Sequence, residues 1–203
     1  MTTHHLHTQP AAVSRRQREE RNGHRGAVVW FTGLSGAGKT TLAHAVQERL
    51  FRAGCQAYVL DGDNLRQGLC SDLGFSAQDR SENIRRAGET AGLLADAGII
   101  VLAAFISPFN ADRERVRSRL PDGDFIEVHC DCPLTVCERR DVKGLYRRAR
   151  AGEVAQFTAI SSPYEAPVNP ELVLDTARLD IPECVERVLA SLRERSVIGL
   201  GGL

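Results

Sequence analysis

The stretch Gly33-Leu34-Ser35-Gly36-Ala37-Gly38-Lys39-Thr40 constrains this chain more than any other. It matches the spacing glycine, four residues, Gly-Lys-Ser/Thr, and it follows the apolar run 27–31. In such a loop, glycines permit a tight turn whose backbone N–H groups converge on phosphate oxygens. A lysine reaches the β- and γ-phosphates, and a hydroxyl ligates Mg2+. Here those groups are Lys39 and Thr40. From Thr41 a helical pattern continues, with Leu42, Val46 and Leu50 on one face and a stop at Ala53-Gly54. Strand, loop and helix therefore stand in the order that a P-loop needs, and a nucleoside triphosphate with its magnesium ion is the expected ligand.

Other regions bound the remaining possibilities. A chain of 203 residues suits one α/β domain. Its 26 basic and 26 acidic residues cancel, so no global field favours nucleic acid or an anionic membrane. No apolar run reaches the ~18 residues of a membrane span, and no leader pattern opens the chain. Six cysteines form no C-x-x-C pair, and the His129/Cys130/Cys132/Cys137 group lacks zinc-site spacing, so the thiols read as structural and reduced. The expectation is a soluble, cytoplasmic protein with no nucleic-acid or membrane partner. Only Lys39 and Lys143 are lysines; every other strong base is arginine. Either the genome favours arginine codons or these two positions need a compact, rotatable charge.

Five apolar runs read as strands: 27–31, 56–60, 99–106, 125–130 and 171–176, separated by helical patterns. The second ends in Asp61-Gly62-Asp63. Ligands of such sheets bind at the carboxyl ends of strands, and residues i and i+2 of an extended segment share a side. Asp61 and Asp63 are thus expected beside the P-loop, one to orient or deprotonate an acceptor hydroxyl and the other to help hold Mg2+ or its waters; an Asx turn capping the next helix is the competing reading. A helix opening at 79–86 places Arg80, Arg85 and Arg86 near an N-terminus, where cations oppose the macrodipole; an anionic ligand or a solvated face would account for them. Residues 141–150 are dense in cations and interrupted by Gly144, as a lid closing over a triphosphate would be. The expected organisation is a polar arm over 1–25, a P-loop domain over 26–196 with a lid at about 141–160, and a loose tail over 197–203. His4, His5 and His7 in the arm form at most a weak metal motif.

Several motifs in order resemble adenylylsulfate kinase (APS kinase): Asp61-Gly62-Asp63-Asn64-Leu65-Arg66, Asp72-Leu73-Gly74-Phe75-Ser76, residues 79–86, Phe105-Ile106-Ser107-Pro108-Phe109, Lys143-Gly144-Leu145-Tyr146 and Ser162-Pro163-Tyr164-Glu165-Ala166-Pro167. The resemblance covers residues 22–195. It implies an α/β three-layer P-loop NTPase fold with a five-stranded, mostly parallel sheet in the nucleoside-monophosphate-kinase style. It also implies transfer of the γ-phosphoryl of Mg·ATP to the 3′-hydroxyl of adenosine 5′-phosphosulfate in sulfate assimilation. A homodimer is implied, with ATP sulfurylase as a candidate partner. By motif, Gly33, Leu34, Ser35, Gly36, Ala37, Gly38, Lys39, Thr40 and Thr41 would bind ATP, Asp61 would act at the 3′-hydroxyl, and Thr40 and Asp63 would support Mg2+. Asp63, Arg66, Arg80 and Asn83 would hold the phosphosulfate side, Phe75 and Phe157 the adenine, and Ile106 and Ser107 would give backbone contacts. Lys143 and Leu145 would come from the lid.

Ser107 is the position the family tradition treats as a phosphoserine. No activating base stands near it in sequence, so direct in-line transfer is expected. The chain departs from the family at Ala159, where glycine is usual before an acidic residue, which would stiffen or move the loop behind Phe157. Two other readings share the P-loop. A kinase for another small acceptor would lack a reason for Phe75 and Arg80-x-x-Asn83, and a nucleotide switch would need an Asn/Thr-Lys-x-Asp signature that the two lysines do not provide.

Overall fold

A computed structural model describes residues 11–199. Its strands β1 (Ala27–Thr32), β2 (Ala57–Asp61), β3 (Ile100–Ala104), β4 (Phe125–Asp131) and β5 (Leu172–Asp175) form one sheet in the order β2-β3-β1-β4-β5. Every pairing is parallel, with Phe31 opposite Ala104 and Val128, and Asp61 opposite Ala104. The expected sheet is therefore present and wholly parallel.

Each residue of β1 and β3 is buried, as continuous apolar runs in a doubly covered sheet should be. The period of two divides them between two cores. Ala27, Val29 and Phe31 pack in the cluster that holds α2 (Lys39–Arg52) and α8 (Ile181–Glu194), whereas Val28 and Trp30 pack in the one that holds α4 (Ala77–Asp96) and α5 (Asn110–Arg117). Gly88 is needed in α4 because a Cβ there would stand 2.6 Å from a methyl of Val116 in α5. These are the three layers, and they aim the carboxyl ends of β1 to β4 at one edge.

At the opposite edge lies α1 (Arg15–Asn22), opened by a Ser14 capping box and closed by Gly23. Arg15 and Arg25 both pair with the buried Asp124, Arg18 pairs with Asp96, and Asn22 donates to the Gly98 carbonyl. The described part of the arm thus packs on the domain, away from the P-loop; His4, His5 and His7 lie outside the described residues. The tail boundary also moves. Val197 and Ile198 are buried and Val197 accepts from the Arg25 N–H, so the core runs past 196 because two apolar side chains close it.

Candidate active site

Three left-handed glycines shape the loop between β1 and α2: Gly33 (φ +150°), Gly36 (+77°) and Gly38 (+90°). At Gly33 a Cβ would also sit 2.6 Å from the Cys130 carbonyl, so only glycine fits. Helix α2 begins at Lys39, and its free N–H groups and dipole favour an anion in the loop. Lys39 curls into that cradle, donating to the carbonyls of Gly33 at 2.9 Å and Leu34 at 2.7 Å. Burial pushes its ammonium down to about 8, opposed by the nearby Asp61 charge. Thr40 and Thr41 are exposed at the mouth.

Asp61 ends β2 and divides its oxygens between two tasks. Oδ2 accepts from the Thr40 hydroxyl at 2.7 Å, while Oδ1 accepts the N–H groups of Asp63 and Asn64 as the cap of α3 (Gly62–Leu65). The cap and the place beside the P-loop therefore coexist in one carboxylate. Asp63, expected with Thr40 at the metal, instead pairs with Lys143 from the lid. The chain leaves the extended conformation at Gly62, so the period of two no longer holds there.

The Mg2+ expectation suits these donors. Thr40 and Asp61 supply hard oxygens at the mouth of the phosphate cradle, and no group of three or more metal-holding side chains occurs among the described residues. An ion held here would need further oxygen ligands beyond these two side chains, and phosphate and water are the kind Mg2+ takes.

One turn beyond Asp61, Arg66 donates to the carbonyls of Leu73 and Gly74 and lies 4.4 Å over the Phe75 ring. Arg80 donates to Phe75 O, Thr158 Oγ1 and Gln156 O. Arg66 and Arg80 form no ion pair with any described carboxylate, whereas Arg85 and Arg86 both pair with Glu82, and Arg86 also with Asp72. Burial, then the charge of Arg66, lowers the Arg80 pKa. Asn83, 5% exposed, leaves its Oδ1 without a partner. The anion-site expectation therefore narrows. Helix α4 starts at Ala77, two residues before the expected opening, which carries Arg85 and Arg86 beyond the first turn and onto an acid-paired face.

Phe75 is 61% exposed and offers a free face, while Phe157 is buried edge-to-face against Tyr146 at 5.0 Å. Behind it, Ala159 adopts φ +68°, the conformation for which the family's usual glycine is suited. Ile106 and Ser107 leave β3 at the same edge. Ser107 is 1% exposed; its hydroxyl donates to Thr32 Oγ1 at 3.0 Å and accepts from Trp30 Nε1 at 3.1 Å.

Three contacts were not foreseen from sequence. In the lid helix α7 (Leu145–Arg150), headed by Leu145, Tyr146 donates through its hydroxyl to Ser35 O at 2.9 Å. Arg140, closing α6 (Leu134–Arg140), donates to the Gly36 and Thr176 carbonyls. Arg113 holds the Ser107 carbonyl. Tyr146 is the last residue of the Lys143-Gly144-Leu145-Tyr146 motif, though the motif alone assigns it no role; nothing in the pattern distinguishes Arg140 or Arg113 from their many arginine neighbours. Cys70 is fully buried.

With this geometry in view, comparison with known proteins is specific. The adenylylsulphate kinase family profile matches residues 25–175. An adenylyl-sulfate kinase of Geotalea daltonii is 63% identical over 179 residues, 88% of each chain. One from Acaryochloris marina is 56% identical over 188 residues, 93% of this chain and 92% of that one. Among solved structures, the Mycobacterium tuberculosis APS kinase in complex with AMPPNP and APS superposes with a TM-score of 0.80 at 51% identity, covering 84% of this chain and 99% of that chain.

Proposed function

The chain belongs to the adenylylsulphate kinase family, and from that premise we propose how its own residues perform the reaction. The enzyme phosphorylates adenosine 5′-phosphosulfate at the 3′-hydroxyl, using ATP with Mg2+ and releasing ADP. Residues 33–41 hold the ATP phosphates, with Lys39 leaving the Gly33 and Leu34 carbonyls for the β/γ oxygens. Thr40 and Asp61 hold the magnesium ion or its water shell, which supplies charge neutralisation at the transferring phosphoryl group. Asp61 orients the acceptor hydroxyl and takes its proton, Asp63 lies on the acceptor side with Lys143 above it, and Leu145, heading α7, adds a further contact from the lid.

Opposite, Arg66, Arg80 and Asn83 bind the phosphosulfate, Phe75 and Phe157 flank the adenine, and Ile106 and Ser107 give backbone contacts. The observation that carries this assignment is the pair of acid-free arginines beside a buried amide oxygen without a partner. Such groups are costly in the free protein and are satisfied by an anionic, polar ligand. Transfer is direct and in line, because the Ser107 hydroxyl is enclosed by Trp30 and Thr32 and directs its hydrogen into the core. In the same reading the chain works as a homodimer, associates with ATP sulfurylase and is cytoplasmic; its six free thiols support a reducing compartment.

A coupled ADP-release assay tests the proposal. Lys39→Ala and Asp61→Asn each lose turnover by at least ~10²-fold, as positioning and electrostatic catalysis require. Equal turnover with unrelated hydroxyl acceptors would overturn the acceptor assignment, and a fully active Asp61→Asn enzyme would overturn its role.

A further inference from the structure

The turn that leaves β3 toward the acceptor is held from behind by a residue far from the chemistry. Arg113 on α5 is 2% exposed and directs one guanidinium to four acceptors, one on its own helix and three on other segments. These are Glu127 Oε1 on β4 at 2.6 Å, the Ser107 carbonyl, the Asn110 side-chain oxygen, and the Glu165 carbonyl at 2.8 Å. Glu165 in turn donates its N–H to Pro108 O at 2.8 Å and accepts the Asn110 N–H at 2.7 Å. Ser107 itself sits at φ +40°, which a serine keeps only when its surroundings impose it. Trp30 and Thr32 fix its side chain, and Arg113 fixes its carbonyl.

We propose that Arg113 is a positioning residue for the acceptor, locking the Ile106-Ser107 turn and the connection at Glu165 into one frame. The proposal rests on the reading that this turn contacts adenosine 5′-phosphosulfate. A planar fork with five donors can serve acceptors spread over these segments; a lysine, with three donors at one point, cannot. The nucleotide half of the site shares none of these bonds.

The test is Arg113→Lys in the full-length enzyme, with amide exchange over 105–110, the KM for adenosine 5′-phosphosulfate, and Mg·ADP affinity as readouts. The expected result is faster exchange in that segment and a KM raised about 5- to 50-fold, with ADP affinity changed less than about twofold. Arg117→Gln is the control, because Arg117 pairs with Glu127 and Glu171 and covers Phe125 without touching the turn. It lowers the melting temperature and leaves the KM unchanged. Should Arg113→Lys not fold, Asn110→Ala, which removes one side-chain acceptor of the guanidinium, shows the same split on a smaller scale. Unchanged exchange at 105–110 overturns the clamp alone. Faster exchange with an unchanged KM overturns the assignment of the turn to the acceptor and the proposal with it. Equal losses of ADP and acceptor binding, matched in Arg117→Gln, overturn the proposal as general destabilisation.

Discussion

Binding of nucleotide should draw a proton onto Lys39. In the free protein this ammonium is 7% exposed and its pKa falls from 10.5 to about 8, chiefly through burial. A base whose pKa is depressed by folding penalises the fold when charged. The penalty is fully present below pH 8, fades between pH 8 and 10.5, and amounts to roughly 3 kcal/mol at 1.36 kcal/mol per pH unit. Phosphate oxygens remove it by holding the charged form. A group titrating near 8 that becomes fully charged takes up about 0.1 proton at pH 7, about 0.5 at pH 8 and about 0.9 at pH 9. Calorimetric titration of Mg·ADP in buffers of different ionisation enthalpy, such as Tris and HEPES, reads this number directly. Lys39→Arg, whose guanidinium stays charged throughout, should abolish the uptake. Buffer-independent binding heats at pH 8 to 9 in the wild-type enzyme would refute the reasoning.

Three further outcomes follow from single residues. Asn83→Leu removes the buried Oδ1 that lacks a partner and should stabilise the free enzyme by about 1 kcal/mol, while raising the acceptor KM at least ~10-fold; a lower melting temperature with normal KM would contradict both halves. Ser107→Ala should keep turnover within about tenfold, and the wild type incubated with labelled ATP alone should stay unlabelled; a loss beyond ~10³-fold with intact binding would restore a covalent role. Ala159→Gly relieves a left-handed alanine at φ +68° and should add up to about 1 kcal/mol in chemical denaturation; a destabilised variant would show that the loop does not carry that strain.

The P-loop and the layer order were legible because both depend on local rules, namely glycine torsions, a period of two in strands and a 3.6-residue period in helices. Where those rules change along the chain, the reading failed. Asp61 and Asp63 could not be kept on one side, since the helix at Gly62 interrupts the strand period between them. Arg80 could not be separated from Arg85 and Arg86, because what distinguishes them is Glu82 and Asp72 on the same face of α4 and the loop before it. Arg113, Arg140 and Tyr146 hydrogen-bond to carbonyls of segments that the fold alone brings near, and no side-chain pattern encodes a carbonyl acceptor.

The lid illustrates how energetics refine a sequence motif. Residues 141–150 read as the mobile basic part of a lid over about 141–160, yet the parts of that stretch are held with different strength. Tyr146, Ala149 and Phe157 are buried in the main core, and Tyr146 is tied to the P-loop carbonyl of Ser35. Releasing that root exposes two aromatic rings, at roughly 25 cal/mol per Å2 of apolar surface. The tip differs, for Val142 is 86% exposed and Lys143 is secured by one solvent-exposed pair with Asp63, a contact worth about 0–1 kcal/mol. If residues 141–160 act as the proposed lid, the weakly held part is 141–144, bounded by the left-handed Gly144, while α7 is tied to the P-loop through Tyr146. On that proposal a seated root keeps Phe157 and Thr158 in place, and Arg80 with them through its bond to Thr158, while the tip alone moves.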